Sequence, residues 1–335
     1  MVKLRMDRKV VERLASFLQP QSAAAPRSNH WQHFSRLNSI FADASTGIVT
    51  FSAGAGFDSD YELNFRRRSL RETAGRLWRH ANGTDPDSRY SKAFSSLWPN
   101  GSPVTWADTR QLLGAPMTAH KILAAHYASL LLPAVPESRQ TTYVEIGPGA
   151  GYLATLMHQR RPGLLITIDL PEVLPFSFLA LHRAFPGSPF WLPNEISGGA
   201  PITLPEQGLL FLTPDQACQL PDMCLDVGVN TASFGEMLPE HIATYFALLR
   251  RITKPTGLFF TCNRVEKWMD REGTSLHENA PGHGLPVRFD RYPWLLQDRD
   301  VFYGPSALHA ITQPQNPMLI RLCHLASAQT QPSDA

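Results

Sequence analysis

The stretch Val144-Glu145-Ile146-Gly147-Pro148-Gly149-Ala150-Gly151-Tyr152-Leu153 decides how the rest of the chain is read. Thr142, Val144 and Ile146 alternate as one face of a short strand. Three glycines then arrive at every second position. Glycine accepts a left-handed backbone and lets N–H groups approach a ligand with no Cβ in the way. Residues 152 to 159 follow as a helix, with Leu153, Leu156 and Met157 on one face. Strand, glycine turn and helix make the first unit of a doubly wound α/β sheet.

Spacing separates the ligands such a turn can hold. A dinucleotide fingerprint, GxGxxG, needs its third glycine at 152, where Tyr152 stands. The pattern here is GxGxG, with Glu145 two residues ahead of the first glycine. A second acid, Asp169, closes the apolar run Leu164-Leu165-Ile166-Thr167-Ile168. An acid at the tip of a second strand can accept both ribose hydroxyls of a nucleoside. Glu-x-Gly-x-Gly-x-Gly with that downstream acid resembles the class I S-adenosylmethionine-dependent methyltransferases. The resemblance implies S-adenosyl-L-methionine as cofactor and Asp169, with Leu170 beside it, as the ribose end of its site.

Composition narrows the classes. A chain of 335 residues suggests about two domains. The net charge of +2 carries no nucleic-acid footprint. Cys218, Cys224, Cys262 and Cys323 show neither a CxxC pair nor metal-ligand spacing, which reads as free thiols in a reducing cytoplasm. Residues 1–14 alternate charges and lack the apolar core of a leader. The longest apolar stretch, 122–135, is broken by His126 and is too short to span a bilayer. A cytoplasmic protein is expected.

Residues 3–18 predict an amphipathic helix, with Val10, Val11, Leu14 and Phe17 at helical spacing. Residues 19–29 read as a linker. Trp31, Phe34, Leu37, Ile40 and Phe41 suggest a second helix, and 62–80 a third carrying Arg66, Arg67, Arg68, Arg71, Arg76 and Arg79. Those arginines make either a solvated helical face or a site for an anionic group of the substrate. Trp78, Trp98 and Trp106 read as core or lid residues. The first 114 residues are thus expected to form a helical N-terminal cap and substrate region. A helix over 118–132 precedes strand one at 142–146, and strand two covers 164–168. Strands three, four and five are placed at 208–212, 223–229 and 258–261, with the best helix of the chain, 238–253, before the last of them.

The blocks "VEIGPGAGYL", "IDLPEVL", "VNTASFGEM" and "LFFTCNRVEK" together resemble a narrower group, the sugar O-methyltransferases, over residues 115–325. The implied fold is α/β, a Rossmann-like seven-stranded class I methyltransferase sheet with an N-terminal α-helical cap. The cofactor-binding domain would cover 115–327, leaving 328–335 as a disordered tail. An antiparallel hairpin is expected to close the sheet, with 317–324 as its last strand; its partner is not placed within 287–302.

Ligands of open α/β sheets lie beyond the carboxyl ends of the strands. The resemblance assigns Gly147, Pro148, Gly149 and Gly151 to the methionine end of the cofactor. Thr213, Pro214, Asp215 and Gln216 fall where adenine is held, and Asn230, Thr231 and Asn263 lie along the same edge. Glu145 would orient the amino group, directly or through water, or cap the turn's own N–H groups. A sugar hydroxyl needs a positioned base as the new bond forms. The candidates are His283, in the Gly- and Pro-rich loop "HENAPGHGLP" beside His277 and Glu278, and Glu236, six residues past Asn230. No metal is expected: where metal-dependent O-methyltransferases place acids, this chain has Asn230 and Cys262-Asn263-Arg264. The expected partner is a small-molecule or glycoconjugate acceptor, with no nucleic acid or membrane span and with a homodimer left open. Methylation of another small metabolite, nicotinamide-dependent oxidoreduction and a catalytically silent binding module are the competing readings.

Overall fold

The computed structural model describes residues 1–19, 38–53, 61, 65, 74–75, 78, 86–114, 117–137, 140–196, 201–270 and 284–326. The chain begins as a strand. β1 (Val2–Arg5) leads to α1 (Arg8–Phe17), which Asp7 caps by accepting the Lys9 N–H at 2.9 Å. β2 (Ser39–Asp43) and β3 (Ile48–Ser52) form a hairpin, and the three strands pair antiparallel in the order β1-β3-β2. Asp43 fixes the hairpin turn by accepting hydrogen bonds from the Ser45 hydroxyl at 2.6 Å and the Thr46 hydroxyl at 2.7 Å.

Among the described residues the N-terminal segment is thus not purely helical, as the expected cap would be. Ile40 and Phe41, expected on a helix, lie in β2, and the helix expected over 3–18 begins only at Arg8. The period of two in β3, which buries Val49 and Phe51 and turns Ile48, Thr50 and Ser52 outward, was the competing signal. Trp31, Phe34, Leu37 and the arginines at 66–68, 71, 76 and 79 lie outside the described residues. Trp78 is exposed rather than core. The N-terminal segment holds the body of the chain through Arg13, which pairs with Glu195 and donates to the Phe190 carbonyl, and through Tyr61, whose hydroxyl donates to the Phe176 carbonyl.

Three helices follow: α2 (Pro86–Leu97), α3 (Trp106–Leu113) and α4 (Ala119–Leu131). Thr105 and Asp108 make a reciprocal capping box at the start of α3. The main sheet is then laid down by β4 (Thr141–Ile146), α5 (Tyr152–Arg160), β5 (Gly163–Ile168), α6 (Leu174–Ala184), β6 (Phe190–Trp191), β7 (Gly208–Leu212), the single turn α7 (Pro214–Ala217), β8 (Leu225–Thr231), α8 (Pro239–Ile252) and β9 (Thr253–Arg264). A separate hairpin, β10 (Glu266–Asp270) with β11 (Gly284–Arg288), is followed by β12 (Arg299–Pro305), α9 (Ala307–Thr312) and β13 (Met318–His324).

The sheet order is β12-β13-β9-β8-β4-β5-β7-β6. The strands from β9 to β6 pair parallel, and β13 runs antiparallel between β9 and β12. Strand order reverses on either side of β4, so the crevice beyond Ile146 is the switch point where such sheets bind ligands. The expected strands are present and β12 is the missing hairpin partner, but the sheet has eight strands rather than seven. The addition is β6, two residues long and too short to show periodicity. The central strands are apolar throughout because both faces are covered. Tyr143, Leu165, Phe211, Val229 and Phe260 face α4, α5 and α6 together with the N-terminal segment, while Ile146, Ile166, Leu210 and Phe259 face α8. Each buried Phe or Leu contributes about 1.5–3 kcal/mol relative to exposure. No described helix is long and apolar enough to cross a membrane.

Candidate functional site

Past Ile146 the backbone makes three left-handed steps, at Gly147 (φ 69°), Gly149 (φ 52°) and Gly151 (φ 70°). The Gly147 N–H donates to the Ile168 carbonyl at 2.9 Å, tying the turn to the end of β5. Gly151 is the N-cap of α5 and, lacking a side chain, leaves the first N–H groups of that helix for other acceptors. The glycines serve different ends. A Cβ on Gly147 would lie 2.2 Å from Ser233 Oγ, whereas one on Gly149 would meet nothing within 4 Å. Gly147 is required by packing, and Gly149 presents bare backbone to the crevice.

Asp169 sits where expected, at the tip of β5. Its carboxylate accepts the Leu170 N–H at 2.8 Å and the Gly149 N–H at 3.4 Å. Burial pushes this carboxyl up to about 7; the charges of Glu172 and Glu236 push the same way, against the Leu170 and Gly149 N–H groups. Leu170 is half-buried beside it. Pro214 and Asp215 open α7 at the carboxyl end of β7, with Asp215 exposed and Thr213 accepting the Gln216 N–H as cap. Thr231 is half-buried at the end of β8.

Glu145 lies beneath the turn, 2% exposed. Burial pushes its carboxyl up to about 8, opposed by the Ala154 backbone N–H and reinforced by the charge of Asp169. Ala154 is the third residue of α5, so Glu145 caps that helix from below; its Oε2 is buried with no hydrogen-bond partner. The cap and the orientation of an amino group, the two roles expected for Glu145, are compatible with this geometry.

Asn230 and Asn263 are fully buried and face each other rather than the crevice. Asn230 Nδ2 donates to the Ile146 carbonyl at 3.0 Å and to Ser233 Oγ at 2.5 Å. Its Oδ1 accepts Asn263 Nδ2 at 2.8 Å and the Phe234 N–H at 3.4 Å. Asn263 also donates to Thr261 Oγ1 at 2.7 Å and accepts the Gly235 N–H at 3.2 Å. Both amides therefore brace the base of the glycine turn. Ser233, unremarked in the sequence, is the contact they hold beneath Gly147. Ala232 brings it there in a left-handed conformation (φ 63°) that costs an alanine about 1–2 kcal/mol. The signal available was its place in "NTASFGEM", two residues past strand four.

Glu236 ends the short turn Ser233–Glu236 and pairs with Lys267 at 3.2 Å. Its charge helps raise the Asp169 carboxyl, which puts it on the Asp169 side of the crevice. His283, His277 and Glu278 lie outside the described residues. Among the described residues no group of His, Cys, Asp and Glu gathers to hold a metal ion.

No protein-family model matches the chain, and no curated protein matches it. Solved structures do resemble it at low identity. A protein described as a sarcosine dimethylglycine methyltransferase of Galdieria sulphuraria is 14% identical over 45% of this chain, with a TM-score of 0.33. The chain spans only 50% of the Galdieria protein's length. Geranyl diphosphate C-methyltransferase of Streptomyces coelicolor is 10% identical, with 68% of this chain and 86% of that one covered and a TM-score of 0.40. An S-adenosylmethionine-dependent methyltransferase of Leishmania major is 13% identical, with 70% and 82% covered and a TM-score of 0.40. Likeness at this level transfers no substrate and no residue role.

Proposed function

We propose that the chain is an S-adenosyl-L-methionine-dependent methyltransferase that methylates a sugar or glycoconjugate hydroxyl. The observation that carries the cofactor is the sign of the crevice. Asp169, Glu172 and Glu236 interact around a left-handed glycine turn, and Glu145 lies below it with a carboxyl oxygen still unpartnered. Carboxylates gathered beside a buried acid favour a cation between them. S-adenosylmethionine brings a sulfonium and an ammonium, whereas the pyrophosphate of a dinucleotide would bring two more negative charges. Tyr152 at the third-glycine position of a dinucleotide fingerprint supports the same choice.

In this reading Gly149 and Gly151 receive the methionine end, Asp169 exchanges its bond to Gly149 for the ribose hydroxyls, and Pro214 and Asp215 border the adenine. Methyl transfer from a sulfonium is an in-line displacement, so the protein's main task is alignment. The sugar hydroxyl rests on the resemblance of the four sequence blocks. Calorimetry tests the cofactor: S-adenosylmethionine or S-adenosylhomocysteine should bind and NAD far more weakly, and the reverse order would refute the proposal. Mass spectrometry of carbohydrate extracts from cells with and without the gene tests the acceptor through a missing methyl group.

A further inference from the structure

The cofactor as proposed fills the crevice over β4, β5 and β7, which leaves the carboxyl ends of β8 and β9 and the amino end of β13 for the acceptor. Four elements meet there. The end of α4 feeds β4 at the opposite edge of the sheet, so the first turn of α4, with exposed His120, lies at the carboxyl edge. β9 ends in Cys262-Asn263-Arg264, and α9 follows directly on Pro305, which pairs with Leu319 level with Asn263. α2 closes the side, with Arg89 donating to the Thr312 carbonyl at 2.9 Å.

Two histidines sit in this corner on either side of Tyr127. The His309 ring lies nearly parallel to the Tyr127 ring, centroids 6.3 Å apart, and the His126 ring is 6.0 Å from it. His309 Nδ1 meets Ser306 Oγ at 3.0 Å, which directs Nε2 away from that partner. Trp98 Nε1, a donor only, bonds His126 Nδ1 at 3.3 Å. Neutral His126 therefore carries its proton on Nε2, a buried N–H with no acceptor. Tyr127 accepts a hydrogen bond from the Cys262 thiol at 3.4 Å, anchoring the cluster to the end of β9.

We propose that this corner seats the acceptor, with His309 Nε2 taking the proton of the incoming hydroxyl and His126 Nε2–H holding a second oxygen of the same molecule. The proposal rests on the methyltransferase reading. In the step, the acceptor oxygen forms its bond to the methyl carbon as the carbon–sulfur bond breaks, and that electron pair stays on sulfur. The hydroxyl proton passes to His309 Nε2, whose Nδ1–H donates to Ser306. The surroundings keep His309 neutral, able to accept a proton: burial pushes it down to about 4, helped by Arg264 on β9 and His120 on α4, which weakens it as a base until the acceptor's own charge changes its surroundings. His126 and Tyr127 on α4 also face it, and Tyr127 is in turn flanked by Cys262 on β9 and Tyr90 on α2. Sequence spacing could not pair His126 with His309, which meet only through the hairpin that closes the sheet.

The test uses the full chain, methyl-labelled S-adenosylmethionine and a panel of monosaccharides and nucleotide-sugars. His309→Asn keeps a donor for Ser306 and removes the base; His309→Ala removes both. Both should bind S-adenosylhomocysteine as the wild type does while losing about 10²–10⁴-fold in single-turnover rate. Free imidazole should partly restore the alanine variant, which a structural role would not predict. Wild-type rates in His309→Asn would overturn the proposal and leave the methyltransferase reading intact; a wild type that binds no S-adenosylhomocysteine would overturn both. If no panel member is methylated, carbethoxylation of the S-adenosylhomocysteine-loaded protein decides. Modification at His309 supports an accessible base, and an unmodified His309 beside a modified His120 overturns it.

Discussion

Replacing Gly147 and Gly149 by alanine, one at a time, separates the glycine that holds the fold from the one that faces the ligand. Both have left-handed backbones, so each alanine costs about 1–2 kcal/mol before any contact is considered. At Gly149 nothing further is added, because its Cβ would meet nothing within 4 Å. At Gly147 the new methyl would lie 2.2 Å from Ser233 Oγ and 2.5 Å from its Cβ. Ser233 cannot swing aside, since its hydroxyl bonds the Ile146 carbonyl at 3.2 Å and receives Asn230 Nδ2. Overpacking of that kind adds about 1–3 kcal/mol, and a broken hydrogen bond about 0.5–1.5 kcal/mol more. Gly147→Ala should therefore lose about 3–6 kcal/mol, a large part of the stability of an ordinary domain.

Urea denaturation of both variants and of Gly147→Ala/Ser233→Gly is the assay, with calorimetric titration of S-adenosylhomocysteine alongside. Ser233→Gly removes both clashing atoms, so the double-mutant cycle should show about 1–3 kcal/mol of favourable coupling while the backbone cost remains. Gly149→Ala should lose only the backbone cost of about 1–2 kcal/mol yet bind the cofactor much more weakly, because its methyl occupies the open face. Equal stability losses in the two single variants, or a cycle without coupling, would refute the division of labour between the glycines.

Other consequences follow from the buried charges. Because the Glu145 and Asp169 carboxyls are raised to about 8 and about 7, the folded chain holds protons that the unfolded chain has released. The stability that these two carboxyls contribute to the cofactor-free chain should then be complete below the ordinary carboxylate range and fall as pH climbs towards those values, and Glu145→Gln should flatten the slope of thermal melts above about pH 5; a rise in stability between about pH 5 and about pH 8 would contradict it. Binding of the cationic cofactor should draw both carboxyls into their charged forms, so affinity should increase through about pH 7 and protons should be released in calorimetry run in buffers of different ionisation enthalpy; Asp169→Ala should reduce affinity and most of that release. Arg250 is buried against Asp298, with bonds of 2.6 Å and 2.8 Å, and also donates to the Pro293 and Ala326 carbonyls, so Arg250→Met should cost about 3–5 kcal/mol by stranding Asp298.

What could be read from the sequence follows the range of the interactions. β4, β5, β7, β8 and β9 announce themselves because each is a short apolar run buried on both faces, and the glycine turn because left-handed backbone demands glycine. The start of the chain misled because Val10, Val11, Leu14 and Phe17 do form a helical face, while the strand before them is only four residues long. In the same way Ile40 and Phe41 happened to continue a helical spacing, although the hairpin was set by Asp43 and by alternation in β3. β12 escaped because its residues are largely exposed at the edge of the sheet, where composition is not constrained by burial.

The site shows the same limit at the level of single side chains. Asp169 was legible because a strand tip fixes its position, but the direction in which Asn230 points was not. Position along β8 puts Asn230 at the carboxyl edge of the sheet; register puts it opposite Thr261, two residues before Asn263 on the same face. Two amides and a hydroxyl can satisfy one another completely in a dry interior, whereas an acid at either amide position would need a cation or a proton. The four bonds of Asn230 leave no donor or acceptor for a ligand, and two of them fix Ser233 and Ile146 beneath Gly147. In the proposed methyltransferase reading the charge that meets the cofactor is therefore carried by the acids around the turn, while the neutral amides hold the turn in shape.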